Sequence, residues 1–333
     1  MLLDKKIELL ERLGHYMLSD DPAWIQAREK ASLENPWFTP EFIELASHHI
    51  ARNYLHPHKL QEWLNPYAER LHQLVHPRKI GLVMAGNIPM VGFHDLLCGW
   101  ISGHSLWIKY ASRDRVLIPF LVEKLKEWAD EPLMIFDADL LKGCDAYIAT
   151  GSQNTSRYFE YYFGKYPHII RRNRTSVAIL DGTESTDELQ LLAKDICTYF
   201  GLGCRNVTKL FVPEGYDFQA LGHALQAYAY FLDHRPYRHN FDYYLSVYLL
   251  NHQPHQMLGH IILKPDPALF SPVSVVLYET YSEPGKLSRS LLNDASIQCV
   301  VGKGFIPFGQ AQFPGLSDYA DGIDTLAFLL SLG

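Results

Sequence analysis

The sequence predicts an α/β fold built on mostly parallel β-strands that helices cover on both faces. From Lys79 onward, short apolar runs alternate with amphipathic stretches of helical length, an order typical of βαβ units. Strands linked in this way lie parallel and are buried on both sides. The chain has 333 residues, of which 47% are hydrophobic and 20% charged, enough for two domains with a large core.

Residues 1–78 are predicted to form a helical N-terminal lead-in. The amphipathic pattern of residues 3–18 indicates the first helix, a second opens near Thr39 beside a proline, and a third covers residues 60–74. Because the first thirteen residues carry several charges, they do not resemble a signal peptide. The cytoplasm is therefore the expected location.

Residues 79–200 are predicted to form the first α/β domain. Its short apolar runs indicate strands, and the amphipathic stretches between them indicate helices. The predicted strands cover residues 80–84, 105–110, 133–136, 146–150 and 176–180. The predicted helices cover residues 90–101, 115–128, 153–163 and 187–200.

A domain boundary is placed near Phe200, just before a glycine-rich turn. Residues 201–310 form the second predicted domain and residues 311–333 a C-terminal segment. The predicted strands of the second domain cover residues 208–212, 261–263, 273–278 and 297–301, and its helices begin with residues 217–232 and 241–250.

Charge and composition exclude several classes of partner. The formal charge of −7 gives no overall basic field for nucleic acid or an anionic membrane. The uncharged apolar run of residues 80–93 is shorter than the ~20 residues of a membrane span. His72 and His76 have the spacing of a metal pair but lack the His-Glu-x-x-His arrangement, so a solvated helix face is favoured and no metal site is predicted.

Two turns follow predicted strands at positions where parallel sheets bind ligands. Gly86 and Asn87 follow the first strand, and Gly151 and Ser152 follow the strand of residues 146–150. The second turn opens a helix, whose free N–H groups suit a phosphate. Ordinary helix capping also explains turns of this kind, so spacing alone does not decide between a ligand site and a helix cap.

Cys204 is the candidate reactive thiol among five cysteines. It lies on a glycine-flanked turn beside Arg205, and a neighbouring cation increases the nucleophilic thiolate fraction of a cysteine. A buried structural role is the competing interpretation. The other four lie in apolar segments, without a disulfide or zinc spacing, and are predicted to pack in the core: Cys98, Cys144, Cys197 and Cys299.

These turns, in this order, resemble the aldehyde dehydrogenase superfamily, and within it the LuxC-type acyl-CoA reductases. The resemblance spans about residues 79–325. Six motifs carry it, at residues 81–89, 106–112, 149–152, 203–204, 270–273 and 307–309. The resemblance implies a Rossmann-type parallel-sheet cofactor domain and a smaller α/β catalytic domain carrying the nucleophilic cysteine.

The resemblance also implies roles for individual residues. Cys204 matches the nucleophile and Asn87 the side chain that donates to the oxyanion. Lys109 matches the lysine that reaches the adenosine ribose of the cofactor. The remaining residues expected at the cofactor are Ser112, Arg113, Gly151 and Ser152. NADPH is favoured over NADH because Arg113, with Arg115 nearby, could face a 2′-phosphate.

Departures from the superfamily pattern refine the predicted reaction. Hydrolytic members carry a water-activating Glu where this chain has residues 169–174, which include no carboxylate. A thiol needs no such base, so acyl exchange with CoA is favoured over hydrolysis. Ala268 replaces a ribose-binding Glu, and Ser156 replaces a glycine after the Thr-Gly-Ser turn.

The predicted function is NAD(P)H-dependent reduction of an acyl-CoA, with a fatty acyl group, to an aldehyde through a Cys204 acyl-enzyme, with CoA as leaving group. One alternative is a CoA-acylating aldehyde dehydrogenase that works in the oxidative direction. Another is a non-catalytic scaffold that binds an acyl-activating partner enzyme. The resemblance implies a homo-oligomer, although the superfamily's oligomerisation hairpin is not evident.

Overall fold

A computed structural model describes residues 1–72, 76–151 and 153–332 of the chain. The fold is α/β, as predicted, and forms two compact units. The first contains Met1–Asn173 and the C-terminal residues from Gly315, and the second contains Arg174–Pro314. Each unit is built on its own β-sheet.

The first unit contains a parallel sheet of five strands in the order β3-β2-β1-β4-β5. The strands are β1 (Lys79–Val83), β2 (Ser105–Lys109), β3 (Ile135–Asp137), β4 (Ala146–Thr150) and β5 (His168–Arg171). This order matches the first five strands of the Rossmann order 3-2-1-4-5-6, so the predicted sheet type is confirmed. Strand β5 was not predicted, since only Ile169 and Ile170 give it apolar character.

Helices precede and cover this sheet. They are α1 (Leu3–Met17), α2 (Pro22–Glu34), α3 (Pro40–His49), α4 (Pro57–Leu64), α5 (Ala68–His72), α6 (Phe93–Ile101), α7 (Leu117–Trp128) and α8 (Gln153–Phe163). Helix α3 begins where predicted, because the Thr39 side chain accepts from the Phe42 N–H and Pro40 occupies the first turn.

The N-terminal helices differ from the prediction in two places. The single helix predicted over residues 60–74 is wrong, because a 3₁₀ turn at Asn65–Tyr67 containing Pro66 separates α4 from α5, and the predicted end lies outside the described residues. Helix α2 was missed because it buries only Trp24, Ala27 and Ala31 and shows no amphipathic period.

The second unit contains six strands in the order β11-β6-β7-β10-β9-β8, all parallel except the β8–β9 pair. The strands are β6 (Thr175–Ile179), β7 (Val207–Pro213), β8 (Gln256–Leu258), β9 (Ile261–Pro265), β10 (Val275–Tyr281) and β11 (Ile297–Val301). The helices are α9 (Thr186–Cys197), α10 (Gln219–Leu225), α11 (Arg235–Leu250) and α12 (Pro284–Leu292).

The break between the units precedes the boundary predicted near Phe200. Residues 174–200 belong to the second unit because β6 pairs with β7 and β11. The prediction relied on the glycine-rich turn after α9, whereas a strand's membership depends on pairing partners distant in sequence. The last helix, α13 (Thr325–Leu330), returns to the first unit.

No helix within the described ranges is long and apolar enough to cross a membrane.

Candidate active site

Three predicted site turns of the first unit lie at one edge of its sheet. Strand β1 pairs in parallel with both β2 and β4, and Val83 aligns with Lys109 on one side and Ala149 on the other. The turns carrying Asn87, Lys109 and Gly151 therefore leave the same carboxyl edge. Chain order reverses between β1 and β4, and at such a switch point open α/β sheets bind their ligands.

The Asn87 turn is held against the turn that follows β2. A Cβ added to Gly86 would lie 2.5 Å from the Cβ of Ala111, so only glycine allows this approach. Met90 has a left-handed backbone (φ 55), and its N–H donates to Asp114 Oδ2 at 2.8 Å. The partly buried Asn87 thus lies on a turn fixed at both sides.

Asp114 is a structural residue of the site that the sequence did not single out. Its side chain is buried, and burial raises the pKa of its carboxyl group to about 6, against the opposing effect of hydrogen bonds from backbone N–H groups. The available signal was an acidic residue between Arg113 and Arg115 directly after a strand. A carboxylate at that position holds the turn after β1 against the turn after β2.

The predicted cofactor residues after β2 are exposed and adjoin a cavity. Lys109 ends β2, and Ser112 and Arg113 follow it on the surface. A cavity of about 250 Å³ lies against this loop, and Arg115 and the end of α2 also line it. The Asn35 side chain donates to the Arg113 carbonyl at 3.1 Å, which anchors the loop that carries Arg113 and Arg115.

Gly151 lies directly after β4, at the other side of the switch point. A Cβ at this position would lie 2.9 Å from the Phe159 ring and 3.1 Å from the Cβ of Thr155, so the first turn of α8 packs closely on it. Its N–H points to the Arg171 carbonyl at 3.4 Å. Ser152, the other predicted residue of this turn, lies outside the described residues.

Cys204 lies in the second unit, on the turn between α9 and β7. The turn begins with three successive left-handed residues, Tyr199, Phe200 and Gly201. Non-glycine residues rarely adopt this conformation and do so at a cost of about 1–3 kcal/mol each. The backbone before Cys204 is therefore strained and needs strong contacts to hold it.

Asn206 supplies those contacts. Its buried side chain accepts from the Gly203 N–H at 2.7 Å and donates to the carbonyls of Asp195, Ile196 and Thr198 at 3.0, 3.2 and 2.8 Å. One side chain thus ties the end of α9 to the residue before Cys204. Ser176 on β6 adds a hydrogen bond to the Cys204 carbonyl at 3.0 Å.

Replacing Asn206 with alanine is expected to destabilise the protein by about 3 kcal/mol, since each orphaned buried partner costs about 1–3 kcal/mol and the turn relaxes in part. Chemical denaturation of wild type and variant measures this. Asn251→Ala removes one exposed side-chain hydrogen bond to Val247 and should change stability by less than about 0.5 kcal/mol. A loss in Asn206→Ala no larger than in the control would show that the turn does not depend on Asn206.

The other four cysteines are buried, as predicted, whereas Cys204 is partly exposed. Burial raises the pKa of the Cys98 and Cys197 thiols well above the ordinary value and raises that of Cys144 as well. Cys299 lies in β11, where its sulfur contacts the Ser176 hydroxyl at 3.0 Å. These environments favour neutral, unreactive thiols at three of the four positions.

Asp195 holds the Pro307–Phe308–Gly309 motif against α9. Its buried carboxylate accepts from the N–H groups of Gly309 at 2.6 Å and Ala311 at 3.1 Å. The Arg205 side chain, next to Cys204, points to the Ala311 carbonyl at 3.4 Å. The motif and the cysteine turn are therefore joined within the second unit, an arrangement not evident from the sequence.

The pH dependence of stability should report on Asp195. Burial raises the pKa of its carboxyl group to about 6, despite the two N–H donors. Its stabilising contribution is full below the ordinary carboxyl pKa and is lost as pH rises through about 6. Between about pH 4.5 and pH 7.5, the free energy of unfolding of wild type should fall by about 2 kcal/mol more than that of Asp195→Asn, at 1.36 kcal/mol per pKa unit.

Denaturation curves at the two pH values provide this comparison. Asp187→Asn changes an exposed carboxylate in the first turn of the same helix and should behave as wild type. Equal pH dependence in wild type and Asp195→Asn would contradict the assignment.

Comparison with protein-family models places the chain. The model described as acyl-CoA reductase (LuxC) matches residues 44–229, more than half of the sequence. The chain belongs to the LuxC acyl-CoA reductase family. The matched segment contains the turns of Asn87, Lys109, Gly151 and Cys204, and membership makes the protein an oxidoreductase.

Solved structures show that this LuxC-family reductase has the aldehyde dehydrogenase fold. Aldehyde dehydrogenase 21 from Physcomitrella patens is 13% identical, with a TM-score of 0.64 over 91% of this chain and 74% of its own. Succinic semialdehyde dehydrogenase from Streptococcus pyogenes, solved with NADP⁺, is 14% identical, with a TM-score of 0.63 over 90% and 76%.

An aldehyde dehydrogenase from Bacillus cereus, solved with NAD⁺, is 12% identical to the reductase, with a TM-score of 0.62 over 89% of this chain and 70% of its own. A search of curated proteins found no match. Together the structural likenesses confirm the predicted fold.

Within the described part of the reductase, no group of three or more His, Cys, Asp or Glu side chains is placed to hold a metal ion. The side chain of His72, from the predicted histidine pair, lies outside the described residues.

Proposed function

We propose that this acyl-CoA reductase converts a fatty acyl-CoA to the aldehyde with a reduced nicotinamide cofactor, through an acyl-enzyme on Cys204. One observation carries the proposal: Cys204 is the partly exposed thiol of the five, on a strained turn that Asn206 and Ser176 hold in place. A turn fixed in this way presents a nucleophile without reorganisation during the reaction.

The first half of the proposed reaction is acyl transfer. The Cys204 thiolate attacks the thioester carbonyl, a new carbon–sulfur bond forms, and the bond to the CoA sulfur breaks. CoA leaves as a thiol after taking up a proton. The Asn87 amide and the Cys204 backbone N–H are the expected donors to the oxyanion, and such preorganised donors stabilise the transition state.

The second half is reduction of the acyl-enzyme. A reduced nicotinamide held by the first unit would supply a hydride to the acyl carbon. The acyl-enzyme would then become a thiohemiacetal alkoxide on Cys204, whose collapse breaks the carbon–sulfur bond, forms the aldehyde and returns the Cys204 thiolate. Cys204 thus begins and ends the cycle in the same state.

The residues of the first unit fit a nicotinamide cofactor. The Rossmann-type strand order, the close packing of α8 on Gly151 and the exposed Lys109 at the same sheet edge support this placement. Ser112 and Arg113 line the 250 Å³ cavity against the loop that follows β2, together with Arg115. Two guanidinium groups there favour NADPH, since a 2′-phosphate is a dianion that arginine binds well.

The absence of a carboxylate from residues 169–174 supports acyl transfer to a thiol over hydrolysis. Residues 169–171 lie in β5, and the charged side chain at the end of that strand is the buried Arg171, not an acid. No general base for water is supplied from this stretch. Acyl-enzyme on Cys204 therefore persists until hydride or CoA arrives.

Supplying purified protein with each substrate pair tests the direction of the reaction. We expect NADPH consumption with a fatty acyl-CoA and slower NADP⁺ reduction with an aldehyde and CoA. The absorbance of the reduced nicotinamide monitors both reactions. Faster turnover in the oxidative direction would support the CoA-acylating alternative. No turnover in either direction would support the scaffold, which Ala268 and Ser156 motivate.

The proposal also covers the source of the acyl group and the oligomeric state. A homo-oligomer and an acyl-activating partner enzyme are expected, and light scattering and co-purification with such an enzyme test them.

A further inference from the structure

We propose that Arg171 is a positioning residue for the cofactor: it fixes the Thr150–Gly151 turn relative to helix α6 and the C-terminal helix α13. This inference rests on the proposed function, since it assigns cofactor binding to the Gly151 turn. Neither the sequence motifs nor the family assignment single out Arg171.

The guanidinium of Arg171 joins three elements of the first unit besides its own strand. Nη1 donates to Asp95 Oδ2 on α6 at 2.5 Å and lies 3.4 Å from Thr150 Oγ1 at the end of β4. Nη2 donates to Thr325 Oγ1 on α13 at 2.7 Å. The Arg171 carbonyl also faces the Gly151 N–H. The guanidinium and the backbone carbonyl of Arg171 therefore both contact the Thr150–Gly151 turn.

The contacts of Arg171 are buried and charge-matched. Arg171 is 2% exposed and Asp95 8%. Burial alone would lower the pKa of Arg171, but the Asp95 carboxylate, with Asp321, outweighs it and raises that pKa. The Arg171 guanidinium therefore stays charged opposite Asp95.

Stability alone does not account for such a pair. Buried ion pairs are often no more stabilising than apolar residues of similar volume, because both charges lose their hydration. A planar guanidinium does, however, hold several acceptors in fixed directions, which lysine and apolar side chains do not. The geometry therefore indicates that Arg171 orients two turns of the site, because α6 follows the Asn87 turn and β4 leads into the Gly151 turn.

The decisive variant removes both charges and keeps a polar side chain at each position. Asp95→Asn/Arg171→Gln avoids an unpaired buried charge, so it should fold, with a melting temperature within a few degrees of wild type. Arg171→Lys keeps the charge facing Asp95 but cannot reach three partners at once. The matched control is Glu160→Gln/Arg172→Gln. It removes an exposed ion pair between α8 and the residue that follows β5.

Equilibrium binding of NADPH, measured by calorimetry in the absence of acyl-CoA, provides the readout. We expect at least ten-fold weaker binding in the double variant and at least five-fold weaker binding in Arg171→Lys. Steady-state rates should show a raised KM for NADPH with a smaller change in KM for acyl-CoA. The control should bind NADPH as wild type does.

Binding within two-fold of wild type in both Arg171 variants would overturn the inference and leave the proposed function intact. Failure of wild type itself to bind NADPH or NADH would instead overturn the proposed function. Equal weakening in the exposed-pair control would also overturn the inference, because the effect would then follow from charge and not from position.

Discussion

Replacing Cys204 with alanine should lower the rate of acyl-CoA reduction by a factor on the order of 10⁴ or more, because no acyl-enzyme can form. The other four thiols cannot substitute for it, since all are buried. The initial rate of NADPH oxidation with a fatty acyl-CoA measures the loss. Stability should change little, because Cys204 is partly exposed and its turn is held through Asn206 and the Cys204 carbonyl.

Cys144→Ala is the matched control for this substitution. Cys144 is a buried thiol in the first unit whose pKa is raised by burial, whereas Cys204 belongs to the second unit. Its variant should reduce acyl-CoA within a few-fold of wild type. Full activity in Cys204→Ala, or an equal loss in Cys144→Ala, would remove Cys204 from the mechanism.

Asn87→Ala should lower kcat by about 10²–10³-fold, a cost of ~3–4 kcal/mol, which is typical for loss of one oxyanion donor. KM for acyl-CoA should change less, since the donor acts on charge that develops in the transition state. The turn should keep its place, because Gly86 and the Met90–Asp114 hydrogen bond hold it independently of the Asn87 side chain.

Single-turnover acylation of Cys204 provides the sharpest measurement of the Asn87 effect. Acylation should remain detectable but slow in Asn87→Ala. Asn293→Ala, at the exposed end of α12, controls for loss of an amide side chain in general. Unchanged acylation and turnover in Asn87→Ala would exclude it as an oxyanion donor.

Elements with a strong local pattern were predictable from the sequence. Strand β4 and helix α8 begin and end where predicted, and β11 does as well, because apolar runs and amphipathic periods define them without distant partners. The turns of Asn87 and Gly151 at the carboxyl edge of the first sheet were identified for the same reason, whereas the Lys109 turn was identified through the family resemblance. A strand followed by glycine and a helix is a local signal.

Features that depend on distant contacts were not predictable. Asp114, Asp195, Asn206 and Arg171 are polar residues whose importance lies in partners that folding brings to them. The Asp195 carboxylate, for example, binds N–H groups more than a hundred residues later in the chain. The start of the second unit at Arg174 was not predictable for a related reason, since the pairing of β6 is not visible in its sequence.

Intact-protein mass spectrometry after brief exposure to a fatty acyl-CoA tests the central claim most directly. Without cofactor, wild type should gain the mass of one acyl group, and subsequent NADPH should remove it with release of aldehyde. Cys204→Ala should gain no acyl group under the same conditions. Equal acylation of wild type and Cys204→Ala, or aldehyde formation by Cys204→Ala, would contradict the account.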